Sequence, residues 1–495
     1  MKMNKKKIGG MLAYSATDML GGGVNQVISL YYFAFLTFVA GLSPGLAGLV
    51  TGIGKVWDGF SDPIMGVIVD RTRTKWGSCR PYFLIAVIPV FVTYFMMWYS
   101  WGIESEIAKF FYFAFAYILF STAFTMAIVP YEALLPRMVD SYKERTNYSS
   151  LRMIFSGVAC VVSTYIYEAL IPVTTENPLS ESFEPNFIIL GLVLGAFFAI
   201  PLIITFLGTK EKYKNKEGDK LTLKKVFQSY REVLTNSTYK KYYFLNLAGA
   251  FVACAILSSM VIFVYLMYGN IESFIVGFTL VFLIVNLKGA MEIGFFPINV
   301  LLMKKYNKHR PYLLDIPLII VSAVIALFVT PNTPVWVFLI SVAFLGAGTS
   351  CLNFVPMTLL PDLSDVDEII YGKRREGINA GLTTMGKKIV SGFAITVFGL
   401  ILEAFGLETD KASPEMATSS SMFAIKIMYS IIPIIFCIAM IIVSKTYALD
   451  ESSHNIIKRL IKEKREKGSI LLTDKEKQIC EKVTGKKVDE LWLTK

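Results

Sequence analysis

Twelve stretches of this chain stay apolar for about 20 residues or more, the length a helix needs to cross a bilayer. They cover approximately 10–40, 45–69, 82–102, 109–136, 148–172, 186–208, 241–268, 273–303, 311–330, 334–360, 376–405 and 422–446. A water-soluble core has no place for so many continuous apolar runs. Composition agrees: 54% of the residues are hydrophobic, 14% aromatic and 18% charged, against about 25% charged in soluble domains. No stretch alternates in the manner of a lipid-facing strand, which excludes a β-barrel. The basic start, MKMNKKK, resembles a signal-peptide n-region. The apolar stretch behind it runs too long, carries Asp18 and shows no clear cleavage site, so it reads as an uncleaved first helix.

The net charge of +11 does not indicate nucleic acid, because the basic residues lie in short segments between apolar stretches. One side of the predicted helices receives MKMNKKK, DRTRTKWGSCR, DSYKER, the segment from Lys210 to Lys241, KKYNKHR, GKRRE and the tail. The other receives GLSPG, GIESEIAK, VTTENPLSESFEPN, GNIES, TPNTP and LETDKASPEMATSSS. Nearly all loop Lys and Arg fall on the first side, which places both termini in the cytoplasm of a cell-membrane protein and requires an even number of helices. The six cysteines, Cys79, Cys160, Cys254, Cys351, Cys437 and Cys480, form no CxxC pair and read as small apolar residues.

An internal repeat organises the chain. Arg80-Pro81-Tyr82 opens the third helix and Arg310-Pro311-Tyr312 the ninth; Val129-Pro130 and Pro136 end the fourth, Val355-Pro356 and Pro361 the tenth. The expectation is an all-α membrane protein of two six-helix halves, residues 1–208 and 241–447, joined by a linker over 209–240 and followed by a tail over 448–495. Two such halves related by an axis along the membrane normal are the major facilitator arrangement, with substrate held between them near the midplane. The charged tail reads as a solvated appendage.

Ionisable side chains at membrane depth are costly and usually line a pathway. Asp58 and Asp62 lie four residues apart on the second helix, on one face. Two carboxylates facing each other in a low dielectric need a proton or a cation between them. They read as a site for Na⁺, Li⁺ or H⁺, or else as salt-bridge partners in helix packing. Asp18 precedes Gly21-Gly22-Gly23, which permit a close approach or a kink. It reads as a contact for sugar hydroxyls or an ion, or as the partner of a base on another helix. Lys387 and Lys388 lie too deep in the eleventh helix to snorkel, so one of them is expected to be functional. Glu132 and Arg152 suit substrate contact or a gate. Lys288 and Glu292 on the eighth helix form an i, i+4 pair, taken as structural. Asp70, Arg71 and Arg80 after helix two, and Asp362 and Asp365 with Asp367 and Glu368 after helix ten, could latch the cytoplasmic side. Exposed pairs are individually weak, so such a latch would break easily.

No HExxH, GxSxG or Walker-type glycine loop is present, and both histidines fall outside the predicted helices. An enzyme and an ATP-driven pump are therefore not expected, nor any cofactor.

These motifs carry a resemblance. Gly54, Asp58, Asp62, Pro63, Gly66, Asp70, Arg71, Trp76, Gly77, Arg80 and Pro81, then PYEALLP at 130–136, Glu144-Arg145-Thr146, and Pro361-Asp362 with Asp365 occur in order. Over residues 8–447 the chain resembles the glycoside–pentoside–hexuronide:cation symporters of the major facilitator superfamily, typified by the bacterial melibiose permease. The resemblance implies symport of a sugar or glycoside with Na⁺, Li⁺ or H⁺; a monomer is expected. It implies cation ligands at Asp58, Asp62 and Thr125, and substrate contacts at Asp18, Arg152 and Lys388. The chain departs from that permease at Ile128, where the permease has an aspartate, with Glu132 one turn on, and at Asn353, where it has a tryptophan. Glu132 and Asn353 are counted among the expected substrate contacts, melibiose itself is not the expected substrate, and a sugar ring would have to stack on another aromatic, Trp57 or Tyr14. Vertebrate lysolipid transporters are similar to the same family, which leaves a carrier of a lysolipid or other amphiphile as the alternative.

Overall fold

The computed structural model describes residues 5–494, apart from 140–141, 174–176, 212–222, 269–278, 374, 408, 413–417 and 469. The described chain is almost wholly helical. Its long elements are α1 (Lys5–Ala16), α2 (Asp18–Val27), α3 (Pro44–Arg71), α4 (Arg80–Met96), α5 (Glu106–Met138), α6 (Tyr142–Leu170) and α7 (Glu184–Gly208). After the short α8 (Leu223–Val233) come α9 (Ser237–Tyr268), α10 (Leu280–Lys305), α11 (Pro311–Phe328), α12 (Val335–Tyr371), α13 (Glu376–Ala404), α14 (Ser419–Lys426) and α15 (Ile432–Lys445). The tail forms α16 (Glu451–Lys467) and α17 (Asp474–Thr484). A two-residue antiparallel pair, β1 (Leu179–Ser180) with β2 (Lys411–Ala412), is the sheet found among the described residues.

Helix covers each of the twelve predicted apolar stretches, the eighth from Leu280 onward because 273–278 lie outside the described residues. By length and composition, nine helices among the described residues qualify as membrane spans, and Arg80–Met96 is a shorter apolar helix. Two stretches deviate for readable reasons. α3 is not among the nine, and its middle carries Lys55, Asp58 and Asp62. The first stretch is divided: α1 stops at Ala16, α2 restarts at Asp18, and the run continues through two π-helical turns, Ile28–Tyr32 and Phe35–Val39.

Contacts divide the chain into two compact units. The first holds Met1–Leu221, Leu257–Leu283 and Ser391–Ile425; the second holds Thr222–Ile256, Ile284–Val390 and Lys426–Lys495.

In the first unit an aromatic cluster fills the interior. Trp98 stacks on Phe187 and meets Tyr32 and Phe35 edge-on or tilted, with all four side chains buried. Glycines set the helix spacing. A Cβ on Gly22 would lie 2.8 Å from the Ser156 carbonyl oxygen of α6, and one on Gly23 would lie 2.5 Å from the Phe198 ring of α7. The triple glycine therefore brings α2 against its neighbours; in lipid, where apolar burial does not drive helices together, close backbone contact is how such helices pack. Gly48 meets the Ile395 and Gly399 backbones of α13 in the same way.

In the second unit α12 packs on α11, and the tail lies against the C-terminal end of α12. Rather than a free appendage, the tail is a docked element. His454, Ile457, Leu460, Ile461 and Lys464 of α16 are buried, Arg465 pairs with Glu368, and the Trp492 backbone N–H donates to the Ile370 carbonyl at 3.2 Å. Gly372 ends α12 with φ +70°, and the Trp492 ring occupies the space that a side chain there would need. Leu460→Ala should cost about 2–5 kcal/mol at such a buried position. The expected results are a lower thermal midpoint in detergent and faster tryptic cleavage of the lysine-rich tail. Unchanged values for both would rule out docking through this face.

Candidate cation and substrate site

The first unit brings together the residues expected to hold a cation. Asp58 and Asp62 stand one turn apart on α3, and α5 lays Thr125 across them: its hydroxyl lies 3.1 Å from Asp58 Oδ1 and 3.1 Å from Asp62 Oδ1. The Ser61 hydroxyl adds a further oxygen, 2.8 Å from Thr125 Oγ1 and 3.1 Å from the Asp58 carbonyl. Ser61 and Thr125 are buried and the carboxylates half-buried. A threonine hydroxyl has one proton, so it can donate to one of the two facing carboxylate oxygens only. Against the other it presents a lone pair. A proton or a small hard cation relieves that opposition, and Asp58, Asp62, Thr125 and Ser61 all present oxygen atoms to it. Sequence reading had no signal for Ser61; in the helix its hydroxyl turns back to the Asp58 carbonyl while reaching the α5 threonine.

The second cluster of the first unit joins two predicted substrate contacts. Asp18 opens α2 in its first turn, where the helix dipole favours a carboxylate. Arg152 of α6 grips it with two bonds, Nε to Oδ2 at 2.8 Å and Nη2 to Oδ1 at 3.2 Å. The guanidinium lies 4.6 Å from the Tyr131 ring centre and 5.9 Å from that of Tyr14. Tyr14 is fully buried, stacks on Tyr131 at 4.6 Å between centroids, and donates to the Tyr131 carbonyl. Its ring is thus committed to the arginine and to Tyr131. Trp57 is 40% exposed and donates to Thr122. Glu132 follows Tyr131 on α5 and is exposed. The carboxylate of Glu168, near the end of α6, accepts from Tyr31 and from Thr279 at 2.5 Å; sequence reading assigned it nothing.

In the second unit Asn353 of α12 donates to Glu292 of α10 at 2.8 Å, and Lys288 pairs with the same carboxylate at 2.5 Å. Lys388, on α13, is half-buried.

Asp70, Arg80, Asp362 and Asp365 each find a partner inside their own unit. Asp70 pairs with Arg137 at 3.1 Å, and Arg137 also reaches Ser78 and the Cys79 sulfur. Arg71 is exposed. Arg80 donates to the Phe206 carbonyl and stacks over that ring, while the Glu211 carboxylate accepts the backbone N–H of Ser78, Cys79 and Arg80 at the start of α4. In the second unit Asp362 pairs with Lys308 at 2.6 Å, and Asp365 with His454 at 2.9 Å. Asp367 pairs with Arg375, which also reaches Glu232. Burial works against the Arg375 charge, but bonds to Asp367 and Glu232 outweigh it and raise its pKa. Far from being solvated topological charge, the acidic residues of α12 are buried and answered by α16, Arg375 and Lys308. Arg374 lies outside the described residues.

Known proteins show the family of the chain. The isoprimeverose transporter of Lactiplantibacillus pentosus is 25% identical over 86% of this chain and 85% of its own. The sodium-dependent lysophosphatidylcholine symporter 1-A of Danio rerio is 24% identical over 87% of this chain and 85% of its own. Among solved structures, a bacterial homologue of the human lysosomal transporter Spinster superposes with TM-score 0.63 at 15% identity, covering 90% of this chain and 98% of that one. That likeness shows the major facilitator fold. The MFS/sugar transport protein family matches residues 13–451, and the chain belongs to this family of membrane transporters.

Proposed function

We propose that the protein is a symporter that couples uptake of a sugar or glycoside to Na⁺, Li⁺ or H⁺ across the cell membrane, with both termini in the cytoplasm. The observation that carries this reading is the convergence of Asp58, Asp62, Thr125 and Ser61 on one small volume at membrane depth. Such a group of oxygens has a use for a cation or proton and little use in packing alone, since burying it is costly. The Asp18–Arg152 pair supplies the second element. Held bidentate and stacked on tyrosines, it keeps two charged hydrogen-bonding groups in fixed geometry, suited to the dense hydroxyls of a sugar.

In this reading the cation neutralises the Asp58–Asp62 repulsion and draws α3 and α5 together. In the first unit, sugar hydroxyls bond to Asp18, Arg152 and Glu132. Because each ligand stabilises the loaded state, each raises the other's affinity by the same factor. The loaded and empty states then exchange between the two faces.

The test is uptake into proteoliposomes of an α-galactoside, a β-glucoside, a β-xyloside, a glucuronide and isoprimeverose, under an inward Na⁺ gradient and separately a proton gradient. Accumulation of one of them under one gradient names substrate and cation together. If no sugar moves while lysophosphatidylcholine does, the sugar reading fails and an amphiphile carrier replaces it.

A further inference from the structure

Lys288 and Glu292 are one turn apart on α10, and the second unit surrounds them with two residues of α12. The Glu292 carboxylate accepts from Lys288 Nζ at 2.5 Å, from Asn353 Nδ2 at 2.8 Å and from Thr349 Oγ1 at 3.4 Å. All of these lie near the middle of long helices, α10 and α12. At such a depth a polar group facing lipid would be left without partners, so groups of this kind face protein, water or ligand.

The chemistry of the bond orients Asn353. A carboxylate only accepts, so the amide nitrogen must face Glu292 and the amide oxygen must turn away. Asn353 is exposed, and its Oδ1 and second Nδ2 hydrogen have no partner among the described residues. It therefore presents one acceptor beside one donor on a rigid plane. Adjacent hydroxyls of a sugar ring offer the complement: one donates to Oδ1 and its neighbour accepts from Nδ2. Lys288 neutralises Glu292 in place, so the group attracts no anion and repels none. Left uncompensated, Glu292 would instead favour a cation.

We propose that Asn353, turned by Glu292 and with that carboxylate neutralised by Lys288, is a recognition point for a vicinal diol on an uncharged sugar ring. Asn353 touches the substrate, and Glu292 and Lys288 are positioning residues. A glutamine at 292 could present either oxygen or nitrogen, and Asn353 would lose its fixed orientation. This inference rests on the sugar reading above.

The experiment is calorimetric titration of the full-length protein in lipid nanodiscs, at saturating cation, with methyl β-D-xylopyranoside, methyl β-D-glucopyranoside and isoprimeverose. Asn353→Ala should weaken binding about tenfold or more, the worth of two modest hydrogen bonds. Glu292→Gln should weaken it about threefold to tenfold, and should have no further effect in the Asn353→Ala background, because it acts through Asn353. Cation affinity in the absence of sugar should stay unchanged in all of them. Should Glu292→Gln not fold, the charge-neutral pair Lys288→Met/Glu292→Gln takes its place. A wild type that binds one of the sugars, with affinity unaltered in Asn353→Ala or with additive losses in the double variant, overturns the proposal and leaves the sugar reading standing. A wild type that binds none of the three sugars overturns the proposal, and one that moves none of the five sugars of the uptake panel overturns the sugar reading as well.

Discussion

Asp58→Cys is expected to abolish cation-driven accumulation while leaving the protein folded in the membrane. The carboxylate stands in a cluster whose oxygens lie 2.8–3.1 Å apart around Thr125. At an effective dielectric of about 20, one charge pair at about 4 Å is worth about 4 kcal/mol. Its loss should weaken a monovalent cation by roughly 1000-fold. Removing one of two like charges also relieves their repulsion. Sugar exchange at equilibrium, which needs no gradient, separates the outcomes. Exchange retained with accumulation lost means the coupling site has been removed. Accumulation undiminished under a Na⁺ or proton gradient would take Asp58 out of the coupling site. Thr125→Ala should act in the same direction more weakly, since it removes a neutral ligand.

The second large effect is expected at Asp18. Asp18→Ala removes the acceptor of both Arg152 bonds and strands the guanidinium at membrane depth. Breaking a buried pair from one side costs about 3–5 kcal/mol. Because these side chains keep 16% and 23% of their surface, the loss in stability should fall below that range. Sugar binding should fall by about 100-fold or more, the loss of at least two charge-assisted hydrogen bonds. The two effects can be separated. Asp18→Asn with Arg152→Gln restores a neutral, hydrogen-bonded pair, so stability should recover while sugar affinity does not. Affinity that recovers along with stability would make the pair structural. Normal sugar affinity in Asp18→Ala would remove Asp18 from the binding site directly.

Some of the site's membership was open to reading along the chain. Asp58 and Asp62 share a helix face by spacing alone, and their depth follows from counting residues into an apolar stretch. The docking of the tail also had a signal: Ile457, Leu460, Ile461 and Lys464 recur at helical spacing, forming a stripe that a free appendage has no reason to keep. Other members had none. Ser61 is one of many serines, and only its meeting with Thr125 distinguishes it. Lys288 and Glu292 read as a closed pair because nothing local shows that Asn353, 61 residues on, joins them.

The membrane class and the positions of the helices were settled by the amino-acid sequence itself, and the depth expected of each charge follows from counting along those helices. The bilayer tests every segment on its own: without water, each polar group in an apolar run carries its cost locally, whatever the rest of the chain does. Which charges meet was decided by tertiary packing alone. Arg152 grips Asp18 across 134 residues, Thr125 bridges two carboxylates from another helix, and the acids of α12 are answered by residues of the tail. Those meetings depend on how far one helix is rotated and shifted against the next. That register is set by glycines at the contacts and aromatics in the core, through close packing of many residues at once.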